Sequence, residues 1–327
     1  MNYFKNTRVV VTGGRGFIGT NLVNDLKAKG ADVCIYDITP DSEYIKGVLD
    51  SKSSTKLLSS VDLRTSSLLD MISYNPHYIF HLAADVGGIQ YLLNNQNKVF
   101  YNNAKMILNV LDAARQCKDL RGFVFPSSAC IYPKAGGRGL DIFHDKKPNP
   151  HSSYGWSKLY GEMLVKSANI PATIVRLFNV YGPYDFSHPD SHVVPSLITK
   201  VLKAKDRDTI EVYGSGRQSR AFVYVDDIVS GLEKAVVYRY NNPGIGYMPI
   251  FNLGTRIEIS IKELIKKIIL LSGKKLEIFY DKSKPEGEYH RSAEIINTVQ
   301  TLNWYPKITF DEGLYRTYEW AEKNVKI

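Results

Sequence analysis

Short apolar runs alternate with amphipathic stretches along the first half of the chain. These runs predict buried strands at Arg8–Thr12, Asp32–Tyr36, His77–Leu82, Gly122–Phe125 and Ala172–Arg176. Helical periodicity predicts helices between them, from a glycine-rich turn to Lys29, from Asn102 to Cys117 and from Ser153 to Ala168. Strands that alternate with helices of this length predict an α/β fold built on a doubly wound parallel sheet.

The second half of the chain has a less regular pattern. Amphipathic stretches predict helices at Val194–Lys205, Val225–Tyr238, Ile261–Ser272 and Glu312–Asn324. Gly, Pro and Asp cluster at Asn179–Pro189 and Asn241–Pro249, which indicates loops. We therefore expect a nucleotide-binding domain over residues 1–177 and a smaller α/β lobe over residues 178–327 that closes over a substrate. Segments near 222–252 are expected to pack back into the first domain.

Length and charge narrow the classes of partner. A chain of 327 residues fits two domains. The net charge of +9 permits nucleic acid, a membrane surface or a phosphorylated small molecule as a partner. The sequence has no Lys/Arg-rich block, so a solvated basic surface explains the charge better than nucleic-acid binding. No apolar run approaches the roughly 18 residues of a membrane span, and we expect no membrane contact.

The three cysteines, Cys34, Cys117 and Cys130, are too few and too widely spaced for a zinc site or a disulfide framework. We therefore expect reduced thiols, no bound metal and a cytoplasmic location. The segment from Met1 to Thr12 leads into a strand and lacks the apolar region of a signal peptide.

A glycine-rich turn follows the first predicted strand and opens the first helix. Glycines at positions 13, 16 and 19 allow the tight turn and the close approach of a pyrophosphate to the helix N-terminus, as in a Rossmann dinucleotide site. Asp37 ends the second strand, where a carboxylate binds the adenine ribose and repels a 2′-phosphate, so NAD is favoured over NADP. The predicted cofactor contacts of this region are Gly13, Gly16, Phe17, Ile18, Gly19, Asp37, Asp62 and Leu63.

A tyrosine and a lysine lie one helical turn apart in Tyr154-Gly-Trp-Ser-Lys158. A cation at that distance lowers the pKa of a phenol, so we expect Tyr154 to act as an acid or base near neutral pH. Ser128, at the end of an upstream strand, is placed to hydrogen-bond a substrate hydroxyl. A Tyr/Lys pair alone is common on protein surfaces, but its position about 140 residues after a dinucleotide turn makes it specific.

With these motifs the chain resembles the nucleotide-sugar branch of the extended short-chain dehydrogenase/reductases, nearly end to end. Further shared motifs are His81–Ala84, Asn109–Ala114, Arg176–Pro183 and Gln218–Asp226. The resemblance implies hydride transfer at a sugar carbon, usually C4, to tightly held NAD. It also implies additional cofactor contacts and a set of substrate contacts. The implied cofactor contacts are Leu82, Ala83, Ala84, Tyr154 and Lys158, and the implied substrate contacts are Asp85, Gly87, Gly88, Asn179, Val193, Arg220 and Arg291.

Two shorter motifs resemble the GDP-mannose 3,5-epimerases and, less closely, the GDP-fucose synthases. They are Ser127–Pro133 and Ala84–Ile89. The 4,6-dehydratases normally carry Thr-Asp-Glu where this chain has Ser128–Cys130, so dehydration is disfavoured. His192 resembles the histidine of the GDP-fucose synthases, whereas the GDP-mannose 3,5-epimerases use a lysine in this region. Lys200 is more simply a solvated helix residue.

A cysteine at position 130 could act as a base toward the sugar ring. Once C4 of a sugar is a ketone, the protons at C3 and C5 become acidic, and a thiolate can remove one while a second acid returns it on the other face. We expect Cys130 and His192 to form that pair in an NAD-dependent epimerase that acts on a GDP-hexose or GDP-heptose. The open alternatives are net oxidation or reduction at C4 and, more remotely, a cofactor-sensing protein without catalysis. The resemblance also implies a homodimer through a helix pair that includes the helix of Tyr154.

Overall fold

A seven-stranded parallel sheet forms the centre of the computed structural model, which describes residues 2–39, 56–58, 61–133, 148–186, 192–284, 286–287 and 289–325. Six strands come from the first half of the chain: β1 (Arg8–Thr12), β2 (Asp32–Tyr36), β3 (Lys56–Leu58), β4 (Tyr78–His81), β5 (Gly122–Ser128) and β6 (Ala172–Leu177). The seventh, β11 (Ile250–Leu253), pairs with β6 at one edge. The strand order β11-β6-β5-β4-β1-β2-β3 reverses beside β1, which is where α/β sheets bind ligands.

Alternate residues of the strands enter two separate hydrophobic cores. Val9 and Val11 of β1 belong to one core, and Val10 belongs to the other. The first-half helices are α1 (Phe17–Ala28), α2 (Leu69–Tyr74), α3 (Ile89–Asn94), α4 (Gln96–Ala114) and α5 (Ser153–Ser167). Helix α1 contributes to the core of Val9, whereas α4 and α5 contribute to the core of Val10. Helices therefore cover both faces, and the predicted doubly wound α/β fold is confirmed.

The remaining strands form three two-stranded sheets beside the central one. These strands are β7 (Val180–Tyr181), β8 (Thr209–Tyr213), β9 (Ser219–Arg220), β10 (Val223–Tyr224), β12 (Ile259–Ser260) and β13 (Glu277–Asp281). The later helices are α6 (Val193–Lys203), α7 (Val225–Asn241), α8 (Ile261–Ser272), α9 (Ile296–Leu302) and α10 (Phe310–Asn324). Helices α6, α8 and α10 contact one another, while α7 packs on β5 and β6 of the central sheet. The boundary between residues 177 and 178 stays a prediction.

Several predicted bounds differ from the observed ones. The helix predicted over Asn102–Cys117 runs instead from Gln96 to Ala114, because Val99 in its first turn is also buried and extends the apolar face toward the N-terminus. The strand predicted to end at Phe125 continues through Ser128, which is buried although polar. Over the described ranges, none of the helices is both long enough and apolar enough to cross a bilayer.

Candidate active site

A cavity of about 780 Å³ lies at the carboxyl ends of β1, β2, β4, β5 and β6. All five predicted catalytic residues line it, namely Ser128, Cys130, Tyr154, Lys158 and His192. The predicted cofactor contacts Gly13, Gly16, Phe17, Ile18, Gly19, Asp37, Asp62, Leu63, Leu82, Ala83 and Ala84 also line it. Of the predicted substrate contacts, the cavity includes Asp85, Gly87, Asn179 and Val193. One cavity thus brings together residues that lie up to 180 positions apart in the chain.

The glycine-rich turn forms one end of this cavity. Gly13 has φ +68°, and a Cβ there would lie 2.7 Å from the backbone nitrogen of Ala83. A Cβ on Gly19 would lie 2.0 Å from the carbonyl oxygen of Gly13. Helix α1 starts after Gly16 with no side chain capping its first turn, so its N–H groups are left for an anionic ligand. The turn fits the pyrophosphate of NAD.

Asp37 is buried at the end of β2. One carboxylate oxygen accepts a hydrogen bond from the backbone nitrogen of Arg15 and the other from that of Thr39, each at 2.9 Å. These bonds fix the carboxylate beside the turn, where it fits the adenine ribose of NAD. Asp62 binds Arg64 in a two-pronged contact of 2.8 and 2.7 Å, and the guanidinium lowers the pKa of that carboxyl.

Lys158 is buried under the cavity floor. Its Nζ donates to the carbonyl oxygen of Pro126 at 2.8 Å and lies over the ring of Tyr154, 5.7 Å from its centroid. Burial lowers the pKa of Lys158 to about 8, against the opposing influence of Cys130. The lysine therefore supplies a cation whose charge state changes close to neutral pH.

Tyr154 differs from the sequence expectation in its acidity. Burial raises the pKa of its phenol, the nearby Cys130 raises it further, and only the hydrogen bond with Ser128 lowers it. The expected lowering by Lys158 is therefore wrong for the protein without its ligands, since loss of solvation is the larger effect. A ligand that brings positive charge beside Tyr154 would act in the opposite direction.

Cys130 lies on a 3-10 helix, Ala129–Ile131, that follows β5 directly. Its backbone nitrogen donates to the Ser128 hydroxyl at 3.1 Å, so the serine caps this turn. The N-terminal turn of α5 packs against the same segment, because Gly155 has no side chain there. A Cβ on Gly155 would lie 2.4 Å from the carbonyl oxygen of Cys130. This contact brings Cys130 near Tyr154, close enough for the cysteine to raise the pKa of the phenol.

His192 lies immediately before α6. Its Nδ1 is 3.0 Å from one carboxylate oxygen of Asp185 and 3.1 Å from the other. The charge of Asp185 raises the pKa of the imidazole. Asp185 is not among the residues that the sequence predicts for the site, although it lies only seven positions before His192 in the Gly/Pro/Asp-rich segment Asn179–Pro189.

Three predicted substrate contacts, Gly88, Arg220 and Arg291, do not line the cavity as described. The guanidinium of Arg220 donates to the carbonyl of Ser219 at 2.6 Å, and that of Arg291 donates to the carbonyl of Ala129. Both arginines therefore bind the protein main chain in this structure. Gly88 precedes α3 and does not line the cavity, although its neighbour Gly87 does.

Asp85 and Lys200 have internal partners. The Asp85 carboxylate accepts from the Tyr91 hydroxyl at 2.6 Å and the Asn102 amide at 2.7 Å. Lys200 was expected to be solvated, yet it donates to the carbonyl of Glu211 at 2.8 Å and lies over the ring of Tyr213.

Besides the Tyr36 hydroxyl, two buried polar atoms of cavity-lining residues lack a hydrogen-bond partner among the described residues. They are the Ser127 hydroxyl and the amide oxygen of Asn179, both buried. Buried polar groups are nearly always hydrogen-bonded, so a ligand in the cavity would satisfy them. No group of three or more His, Cys, Asp or Glu side chains in the described part of the chain is arranged to hold a metal ion.

Comparison with known proteins shows similar chains across almost the whole length. The Arabidopsis thaliana GDP-mannose 3,5-epimerase is 27% identical, over 98% of this chain and 84% of that protein. The Escherichia coli GDP-L-fucose synthase is 29% identical, over 97% of each chain. Among solved structures, an epimerase of Methanothermobacter thermautotrophicus superposes with a TM-score of 0.85 at 26% identity, covering 99% of this chain and 94% of that one.

A protein-family model, that of the NAD dependent epimerase/dehydratase family, matches residues 9–254. That range runs from β1 to the end of β11 and contains the glycine-rich turn, Tyr154 and Lys158. The chain therefore belongs to the NAD-dependent epimerase/dehydratase family, enzymes of the extended short-chain dehydrogenase/reductase type that act on nucleotide sugars.

Proposed function

We propose that this enzyme is a GDP-sugar epimerase that oxidises C4 transiently and inverts C3, C5 or both. The observation that carries the proposal is the shared cavity of Cys130, His192, Tyr154 and Lys158. An epimerase that only oxidises and reduces C4 needs the tyrosine and lysine. The added thiol and imidazole give the same cavity two further groups that exchange protons.

Each side chain has a defined task in this proposal. NAD, when bound, supplies the acceptor and later the donor of the C4 hydride. Tyr154 takes the proton of the C4 hydroxyl, and Ser128 hydrogen-bonds the same oxygen. Lys158 stabilises the resulting phenolate through its charge. The C4 ketone then makes the protons at C3 and C5 acidic.

The inversion itself requires two groups. The Cys130 thiolate removes a ring proton, which forms S–H and leaves an enolate. His192 donates its own proton to the same carbon from the other face. When C4 is reduced again, the sugar is released with no net change in oxidation state. General acid–base steps of this kind contribute about 10²–10⁴-fold to rate.

Guanine is the base of the proposed nucleotide-sugar substrate. This assignment is supported by the two GDP-sugar enzymes that share about the full length of this chain. Asn179 lines the cavity, its amide oxygen has no partner in the described part of the chain, and it is a candidate contact for the nucleotide sugar. Nucleic acid and membrane surfaces have no place in the proposed function.

The test follows deuterium incorporation into the sugar and the formation of NADH in the same reaction. The purified enzyme is incubated in deuterated water with separate GDP- and UDP-hexoses and heptoses, and NADH absorbance and product NMR spectra are recorded. Deuterium at C3 or C5 of a GDP-sugar without lasting NADH supports the proposal. Lasting production or consumption of NADH without ring deuterium contradicts it and indicates a net C4 oxidoreductase.

Two cysteine substitutions test whether the Cys130 thiol removes the ring proton. Cys130→Ser is expected to lose ring deuteration by about 10²-fold or more and to keep transient NADH formation, because the serine hydroxyl is far less acidic. Cys117→Ser is the matched control, since Cys117 is buried away from the cavity. Equal deuteration in wild type and Cys130→Ser would remove Cys130 from the mechanism.

We also propose a homodimer and a cytoplasmic location. The outward faces of α4 and α5 expose apolar side chains: Phe100, Tyr101, Leu108, Trp156 and Met163. Large exposed apolar patches on soluble enzymes mark contact surfaces. Cys34, Cys117 and Cys130 are free thiols, as expected in a reducing compartment.

A further inference from the structure

Asp185 is a buried carboxylate with a single catalytic candidate beside it. It is 7% exposed, whereas the His192 side chain is 49% exposed and lines the cavity. An ionised carboxylate only accepts hydrogen bonds, so the histidine nitrogen it contacts, Nδ1, carries a proton. Nε2 is therefore the nitrogen left for a substrate.

The backbone around Asp185 is held from outside its own loop. The rings of Tyr184 and Phe186, on either side of Asp185, contact the indole of Trp320 at centroid distances of 5.0 and 5.5 Å. Tyr184 has φ +73°, an uncommon conformation for a bulky residue that persists where the surroundings enforce it. Helix α10, which carries Trp320, thus fixes the position of the Asp185 carboxylate.

The negative charge of Asp185 favours the role of proton donor for His192. A buried carboxylate without a cation is costly, so Asp185 stabilises the imidazolium form. The same charge raises the pKa of His192, while burial raises the pKa of Asp185 against the opposing influence of the imidazole. The other titratable side chains that line the cavity are Tyr36, Asp37, Asp62, Arg64, Asp85, Lys98, Cys130, Tyr154 and Lys158, and the side chain that α10 presents to this loop is the uncharged Trp320.

We propose that Asp185 is a positioning residue that keeps His192 protonated on both nitrogens and directs its Nε2–H to the sugar ring. The proposal rests on the function proposed above. It assigns one direction of proton transfer to each of the two acid–base groups. Cys130 removes the ring proton, and His192 supplies the new one. After donation the imidazole is neutral, its Nδ1–H still bound to Asp185, and both groups return to their starting states by exchange with water.

The first arm of the test separates inversion of the ring carbon from oxidation at C4 and from substrate binding. The NAD-loaded enzyme and its Asp185→Asn variant are compared in deuterated water with the GDP-sugar that the wild type converts. Inversion is expected to fall about 10- to 100-fold, while transient NADH formation and the KM for the sugar stay within about twofold. Deuteration without inversion is expected to continue through Cys130. Asp185→Glu is expected to restore part of the inversion, and the exposed Asp226→Asn serves as control.

The second arm does not depend on turnover. NMR of ¹⁵N-histidine-labelled, NAD-loaded enzyme follows the titration of His192, which is assigned with His192→Gln. In Asp185→Asn the pKa of His192 is expected to fall by about one unit. An unchanged titration, or unchanged inversion, would overturn the role of Asp185. A wild-type enzyme that never deuterates the ring would instead overturn the proposed function, whatever the titration shows.

Discussion

Lys158 is buried in the cavity floor, although lysine is rarely buried in proteins. Its pKa is about 8 in the folded protein, below the ordinary value of 10.5. Between these values the unfolded chain binds a proton that the native protein does not, so the native state gains stability as pH rises. The full gain is about 3 kcal/mol.

This linkage predicts a pH-dependent difference between two lysine variants. Urea unfolding of the NAD-free protein at pH 7.5 and about pH 10 should show the gain, on top of the change that buried tyrosines cause in every variant, in wild type and in Lys166→Met, an exposed lysine of the same helix. Lys158→Met should lack it, because no ammonium is then buried. Parallel pH dependence in all three proteins would mean that Lys158 stays protonated in the fold.

Gly155 is a second residue at which a substitution should disturb the site, because it lies against the carbonyl of Cys130. Alanine has the higher helix propensity by about 1 kcal/mol, which would stabilise α5. Its Cβ would nevertheless lie 2.4 Å from the Cys130 carbonyl, and overpacking of this kind costs about 1–3 kcal/mol. We expect Gly155→Ala to move Tyr154 away from Cys130 and lower kcat at least tenfold.

The control for this substitution is Ser153→Ala in the same turn of α5, which faces no such contact. NAD binding, measured by fluorescence quenching, should change less than kcat, because the glycine-rich turn and Asp37 lie outside the contact between Gly155 and Cys130. Full kcat in Gly155→Ala would show that the 3-10 turn shifts without affecting the reaction.

At the scale of elements, the C-terminus of α6 is capped by a lysine from a different segment. The Nζ of Lys274 donates to the carbonyls of Val201 and Leu202 at 2.9 Å and to that of Ala204 at 2.7 Å. A cation at a helix C-terminus also interacts favourably with the helix dipole. Lys274→Met should therefore lower the free energy of unfolding by about 1–2 kcal/mol.

Urea unfolding checks this, with Lys275→Met as the control because its side chain is exposed. Activity should change little in Lys274→Met, since Asp185 holds His192 at the other end of α6. Equal stability of the two variants would mean that water replaces the lysine at these carbonyls.

The elements that the sequence predicts are those with a strong apolar period. Strand β1 and helix α8 were placed at their observed bounds, because both bury most of their apolar residues. Helices α2 and α3 have six residues each, too few to show a period, and were not predicted. The dinucleotide turn and the Tyr154/Lys158 pair are local patterns and were found from sequence.

Tertiary features of the site were not predictable in the same way. Asp185 acts through a hydrogen bond to His192, and its position depends on Trp320 from the last helix, so no local pattern marks it. Burial likewise reverses the expected change in the pKa of Tyr154. Arg220 and Arg291 were expected at the cavity, yet their guanidinium groups bind backbone carbonyls. A sequence motif does not predict which partner an arginine side chain binds in the fold.

At the scale of the whole molecule, the exposed faces of α4 and α5 form one apolar surface. Trp156 and Met163 lie seven positions apart on α5, with exposed fractions of 49% and 60%, and Tyr101 and Leu108 have the same spacing on α4. Residues with this spacing share a helix face, and α4 and α5 pack against each other. A second copy of the chain is the partner that the proposed homodimer places on this surface.

The dimer prediction is tested by adding charge to its centre. Met163→Glu should convert the wild-type dimer to a monomer at micromolar concentration, measured by analytical ultracentrifugation, because a buried unpaired carboxylate is strongly disfavoured at an apolar interface. Leu270→Glu on α8 is the control, since Leu270 is 80% exposed on another surface. Helix α5 carries Tyr154 and Lys158 on its inner side, so loss of the partner should also reduce kcat. A wild-type protein that sediments as a monomer, or a Met163→Glu variant that remains dimeric, would assign this surface to another use.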